Sequence, residues 1–251
     1  MKLFHHLVKI LFLAFLFWVF INCSIRLNDP QEIVDKTIAS HGLDKLHNSV
    51  MEFEFRYKHY RVTRNNGIFK YERSYSDSSG NVRIILSNDS IRKEISGDKV
   101  PMAGKEKKKL SNGINAVVYF ASLPYNLNDD AVIKKFLGET EVRGDTYYMV
   151  EIIFRKEKGG RDYEDRFVYW FHSEKYTMDY FAYRYQIDGG GTRFREAINP
   201  RIINGVRIQD YINYKYQDLN IPIEQYTALF EKGKLSKLSE IILTDVQITF
   251  P

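Results

Sequence analysis

The residues best suited to acid–base chemistry are the carboxylates of Arg161-Asp162-Tyr163-Glu164-Asp165-Arg166. Two carboxylates can divide general-acid and general-base roles when they stand roughly 5–10 Å apart across a groove. Three acids between two arginines at a turn are more simply a solvated ion-pair rim. His59, within Lys58-His59-Tyr60-Arg61, is the other candidate proton carrier, facing either solvent or a cavity from a strand. Beyond the first helix-forming residues lie His41, His47, His59 and His172, and none of these pairs has metalloprotease spacing. A chain with one cysteine also has no Cys-based zinc site and no internal disulfide. No Ser stands in a Gly-x-Ser-x-Gly elbow, and Gly189-Gly190-Gly191 separates two strand candidates without opening a helix. The sequence therefore predicts no catalytic residue, no metal and no cofactor.

What must position any site is a sheet. The 251 residues are 44% hydrophobic and 15% aromatic, enough apolar surface for a sizeable core. One helix opens the folded region: Asp29 caps, Pro30 takes the first helical position, Ile33, Val34, Thr37 and Ile38 recur at helical spacing, and Gly42 stops it. From Val50 the period changes to two, with Phe53, Phe55 and Tyr57 alternating with charged neighbours through Lys58. Asn65-Asn66-Gly67 reads as a hairpin turn into a strand at Ile68–Arg73. Further strands are expected at Val82–Leu86, Ser90–Ile95, Thr146–Arg155, Arg166–His172, Asp179–Ile187, Thr192–Ile198, Val206–Tyr216 and Glu240–Phe250. Their short connections imply antiparallel neighbours. Two helical interruptions fall at Ile114–Ser122 and Ile223–Lys232, and Lys105–Lys109 reads as an exposed loop. The expected class is α+β, a large curved antiparallel sheet (an incomplete β-barrel) packed by a few short helices. Both faces of Thr146–Arg155 and Arg166–His172 are greasy, which suggests a curved sheet that covers helices on its inner side and is partly shielded on its outer side.

The first residues carry an address. Lys2, His5, His6 and Lys9 precede the uninterrupted apolar run Ile10–Ile21, which as a helix rises about 18 Å, short of the roughly 30 Å hydrocarbon core. This is a secretory signal rather than a spanning helix. Cys23 follows two residues later, in Phe20-Ile21-Asn22-Cys23, and the arrangement resembles a bacterial lipoprotein signal in which the Cys is lipid-modified. The expected division is 1–22 signal peptide, 23–28 tether after the lipidated Cys23, and 29–251 one α+β domain. The implied place is the cell envelope, in the outer membrane facing the periplasm, with the membrane as partner through the N-terminal lipid. Lys2 and Lys9 supply two of the excess charges in a net +5, so nothing in the basicity argues for nucleic acid.

Several stretches together resemble a family of uncharacterised Bacteroidota-type lipoproteins. They are Ala39-Ser40-His41-Gly42, Phe53 to Tyr60, Ser122-Leu123-Pro124-Tyr125-Asn126-Leu127-Asn128-Asp129, Asp162-Tyr163-Glu164-Asp165, Arg193-Phe194-Arg195, and Asn204-Gly205-Val206-Arg207 running into Asp210 to Tyr214. The leading helix and long antiparallel sheet are also similar to the outer-membrane lipoprotein-carrier (LolA-like) fold. That resemblance implies a concavity able to hold acyl chains, although fold does not fix function. A non-catalytic module binding an apolar ligand or lipid is thus the first reading. An envelope assembly subunit and an enzyme using His59 or the acids near Asp162 are the alternatives. For a ligand-holding concavity the candidate residues at its mouth are Tyr57, His59, Tyr125, Tyr183 and Arg195.

Overall fold

The computed structural model describes residues 29–155, 165–186 and 189–251. Helix α1 (Pro30–Ser40) starts as its sequence dictates: the Asp29 side chain accepts a hydrogen bond from the Gln31 amide, and Pro30 occupies the first turn. Its buried stripe is Ile33, Val34, Thr37 and Ile38. Gly42, in the left-handed region at φ +65°, then turns the chain into a short 3-10 segment, Leu43–His47.

Fourteen strands follow in two seven-stranded antiparallel sheets. The first sheet is a meander of β1 (Asn48–Phe55), β2 (Lys58–Asn65), β3 (Ile68–Asp77), β4 (Gly80–Ser87), β5 (Ile91–Ile95) and β6 (Asp98–Val100). The second is β7 (Val132–Val142), β8 (Asp145–Phe154), β9 (Arg166–His172), β10 (Met178–Tyr185), β11 (Gly191–Ile203), β12 (Val206–Lys215) and β13 (Ser236–Ile241). Strand β14 (Thr244–Thr249) follows β13 after two residues and pairs with β1, so the chain steps from the edge of one sheet to the edge of the other. Register shifts interrupt the β1–β14, β7–β8, β9–β10, β11–β12 and β12–β13 ladders. Each such bulge bends its strand and adds local twist, which curves the sheets without closing them into a barrel.

The connection from β6 to β7 carries α2 (Gly104–Ala121), which lies against β3, β4 and β5 and buries Ile114 and Val118. The Lys105–Lys109 run, expected in a loop, forms the first turns of this helix. Lys and Glu are good helix formers, and the run continues the helical spacing of Leu110, Ile114, Val117 and Val118. The inner faces of both sheets, α1 and α2 share one core that includes Phe53, Val62, Ile84, Ile114, Tyr169 and Phe181. The outer face of the second sheet holds a smaller core around Val168, Trp170 and Phe194, covered by Ile223, Tyr226 and Phe230 of the segment containing α3 (Tyr226–Glu231). The two greasy strand faces are thereby both used.

Three strand expectations change. The alternation through Lys58 continues past a real turn: β1 ends at Phe55, and Tyr57, expected on the strand's buried face, sits fully exposed at the tip. Arg56 (φ 51°) and Tyr57 (φ 61°) fill the two central positions of a hairpin that favours Asn and Gly, so nothing in their types announces it. Strand β7 was not expected at all, and Glu240–Phe250 is not one strand but the end of β13 followed by β14. The strained turn carries a prediction. Tyr57→Gly should raise unfolding free energy by roughly 0.5–1 kcal/mol in urea titrations; a decrease would mean that the tyrosine side chain contributes more than its backbone strain removes.

Candidate ligand cavity

A half-open cavity of about 210 Å³ lies between the last turns of α2 and strands β11 to β13. Helix α2 supplies Ala116, Val117, Phe120 and Ala121; β1 and its turn supply Phe55 and Arg56; β11 supplies Arg195. From β12 come Gln209, Tyr211 and Asn213, which share one face because side chains alternate along a strand. Ile241 and Leu243 close the wall where β13 passes into β14. The volume exceeds the roughly 150 Å³ of a dry protein cavity that binds benzene and falls below the roughly 300 Å³ at which drug-sized sites begin.

Arg195 is the anomaly in this apolar setting. Its residue is 6% exposed. The guanidinium stands 4.0 Å from the Phe120 ring centre, 5.2 Å from Phe181 and 5.4 Å from Tyr183, cation–π contacts that stabilise a desolvated cation. One nitrogen, Nη2, donates to the Tyr183 hydroxyl at 3.1 Å. Nε and Nη1 are buried without a hydrogen-bond partner among the described residues. An unpaired buried donor of this kind typically destabilises by about 1–3 kcal/mol, and more when it carries charge. Across the strand ladder Arg195 pairs with Asn213, whose Nδ2 donates to Ser239 Oγ at 3.3 Å while its Oδ1 is buried and unpartnered. Burial pushes the Tyr211 phenol up to about 12, and Gln209 Nε2 donates to that hydroxyl at 3.1 Å. The wall therefore offers neutral hydroxyl and amide groups beside two permanent cations, the buried Arg195 and the exposed Arg56.

Of the five mouth candidates, the structure brings together Tyr183 and Arg195. Tyr57 is at the hairpin tip next to Arg56, outside the cavity lining. His59 shares the outward face of β2 with Arg61, because Tyr60 and Val62 point inward. It lies between Glu54 (Nδ1 to Oε1, 3.0 Å) and Glu52 (Nε2 to Oε2, 3.2 Å) on an open strand surface rather than in a pocket. Tyr125 stacks 4.8 Å from the guanidinium of Arg64, which donates to Ser122 Oγ at 3.0 Å and ties the end of α2 to β2. The acids Asp162 and Glu164 lie outside the described residues, as do Cys23 and the first 28 residues. No group of three or more His, Cys, Asp or Glu capable of holding a metal occurs among the described residues. No helix among them is long and apolar enough to cross a membrane. The sequence reading missed Phe55, Val117, Phe120, Ile241 and Leu243. They come from three distant parts of the chain, and no local pattern links them.

Curved, unclosed antiparallel sheets wrapped on their own helices, with a pocket beneath one of them, define an α+β class of protein. Within it the chain belongs to the family of unknown function DUF6503, whose profile matches residues 9–242. Among curated proteins none matches in sequence. Solved structures similar to it include a LolA superfamily protein from Nitrosomonas europaea, with 9% identity, 88% of this chain and 92% of that one covered, and a TM-score of 0.45. An outer membrane lipoprotein-sorting protein domain from Vibrio parahaemolyticus has 9% identity, coverages of 88% and 94%, and a TM-score of 0.47. A DUF1329 family protein from Desulfovibrio piger has 11% identity, coverages of 88% and 93%, and a TM-score of 0.40. At such identities and scores, what this chain binds has to be read from its own side chains.

Proposed function

We propose that the chain is a lipid-anchored, non-catalytic binding module of the cell envelope that holds an apolar ligand beneath α2. The supporting observation is the half-open cavity whose wall includes Phe55, Val117, Phe120, Ile241 and Leu243. Concave, mostly apolar sites with few polar groups are where small ligands bind. The cavity admits a short chain or the end of a longer one, not a whole membrane lipid. An assembly role through the aromatic outer face of the second sheet is less well supported, since α3 and its flanks already cover that face.

The anchor belongs to the same reading, with 1–22 as signal, Cys23 as the acylated residue facing the periplasm from the outer membrane, 23–28 as tether, and 29–251 as the binding domain. Stable attachment takes two lipid signals, which multiple acylation of one Cys provides. Cys23→Ser should therefore shift the protein from the membrane pellet to the soluble fraction, and a variant retained in the pellet would refute lipidation as the anchor. Native mass spectrometry of the full chain purified from bacterial membranes tests the cavity: an added small-molecule mass on the folded protein is expected. A clean apo mass under gentle conditions, for both wild type and a preparation incubated with total membrane lipid, would overturn the binding role.

A further inference from the structure

We propose that the ligand of this cavity is an amphiphile with a single carboxylate head, of the fatty-acid class, and that Arg195 pairs with that head. The inference rests on the apolar-ligand reading and specifies its chemistry. Arg195 remains charged in any protein environment, yet among the described residues no carboxylate lines the cavity with it. Among the described residues its Nε and Nη1 are buried and unpartnered, and only Nη2 has a hydrogen bond, to the Tyr183 hydroxyl. A neutral apolar ligand would leave both donors unmatched. A carboxylate supplies acceptor oxygens and the missing opposite charge, and charge-assisted hydrogen bonds of this type are the strong ones.

The number of charges sets the class of head. One deeply buried guanidinium matches a monoanion, whereas a phosphate dianion would bring a second, uncompensated charge into a dry site. The second arginine of the lining, Arg56, is at an exposed turn where solvent already satisfies it. Asn213, the cross-strand neighbour of Arg195, carries an acceptor, Oδ1, that is buried without a partner among the described residues. Its amide is uncharged, so it adds no second cation that would match a dianion. The Phe120 ring stacks on the face of the guanidinium at 4.0 Å, so the head meets the in-plane donors Nε and Nη1 rather than that face. Val117, Ile241 and Leu243 then flank the tail. A cavity slightly larger than one that holds benzene takes a tail of about eight carbons.

Calorimetric titration of the full chain in a non-ionic detergent at pH 8 tests the proposal with octanoate, octanol and octyl phosphate as probes. Val117→Trp, which fills the cavity, serves as the blank for partitioning into micelles. Octanoate should bind the wild type at least about 10-fold more tightly than octanol, and Arg195→Met should remove that preference while keeping octanol binding. Arg195→Met should also raise the melting temperature of the ligand-free protein, which the loss of a purely structural arginine would not do. Equal affinities for octanoate and octanol in the wild type would overturn the head assignment and leave the apolar-ligand reading intact. Tighter binding of octyl phosphate than octanoate would overturn the choice of carboxylate. If none of the three binds above the Val117→Trp blank, both readings fall. Should Arg195→Met not fold, the wild-type comparison alone decides.

Discussion

Acidification from pH 7 to pH 5 should lower the unfolding free energy by about 2 kcal/mol, with His41 as the source. This residue sits just after α1 and is 1% exposed. Its Nε2 accepts the Met178 amide at 3.1 Å, so the ring is neutral with its proton on Nδ1. Protonating Nε2 would set an N–H against an N–H in a buried contact. Burial first, and the nearby Arg207 charge second, push the His41 pKa from 6.5 down to about 3. The unfolded chain therefore takes up a proton near pH 6.5 that the folded chain refuses until about pH 3. The stabilisation is complete above the unfolded value and is lost as pH falls below it. In that window the slope is about 1.4 kcal/mol per pH unit. For a chain of this size a 2 kcal/mol loss corresponds to a melting temperature lower by roughly 4–8 °C. The carboxylates with lowered values, Glu72, Glu224 and Asp77, have ordinary values of 4.5, 4.5 and 3.8 and titrate below this range. His41→Gln retains an acceptor without a titrating ring. Thermal melts of that variant should be nearly flat between pH 7 and pH 5, and an undiminished fall would place the proton uptake elsewhere.

His41 also shows what the sequence made legible. The Ala39-Ser40-His41-Gly42 stretch and the Asn204-Gly205-Val206-Arg207 stretch stood out as marks of the family, without any indication that they touch. In the fold the Arg207 amide donates to the His41 carbonyl at 2.7 Å, and Lys45 Nζ donates to the Gly205 carbonyl at 3.3 Å. Likewise, the Ser122–Asn128 stretch meets α1 where Asn128 Nδ2 donates to Asp35 at 2.6 Å and Gln31 Nε2 donates to Asn128 at 2.8 Å. Elements with local chemistry of their own were readable: the capped α1, the Asn66-Gly67 turn, and the strands with strict alternation. Strand β7 was not, because Lys134, Lys135, Glu139 and Glu141 blur its period and Gly138 (φ 120°) marks a bulge at a free sheet edge. The site was legible only in its strand half. Arg195 lines the cavity from a strand whose pattern is local, with Tyr183 on the neighbouring strand as its partner outside the lining, whereas Val117, Phe120 and Leu243 reach the cavity through the path of the chain between sheets.

Gly42→Ala should be the most damaging single-methyl change in the first helix and its docking. The residue is left-handed at φ +65°, and a Cβ there would collide with the Gly205 carbonyl oxygen and stand 3.2 Å from its carbon and 3.6 Å from Val206 Cα. Those atoms are backbone, so no flexible side chain can yield. Gly205 itself is held at φ +78° in the β11–β12 turn, beside Asn204 at φ 48°. Relief must therefore come from moving the helix end off the hairpin, which uncovers Leu43, Leu46 and Val206, all fully buried. Left-handed strain alone contributes about 1–2 kcal/mol for alanine, and the lost packing of even one such aliphatic side chain adds about 2 kcal/mol. A total of at least about 3 kcal/mol is expected, or a melting temperature lower by roughly 6–12 °C. Gly67→Ala separates the two causes. Gly67 also has a positive φ, +90°, but nothing lies within 4 Å of its would-be Cβ, so that variant should show the strain alone, about 1–2 kcal/mol. If the two variants melt together, the close approach of Gly42 to the β11–β12 hairpin does not hold α1 in place. If Gly42→Ala melts far lower, the contact between those two family-marking stretches is what seats the helix on the second sheet.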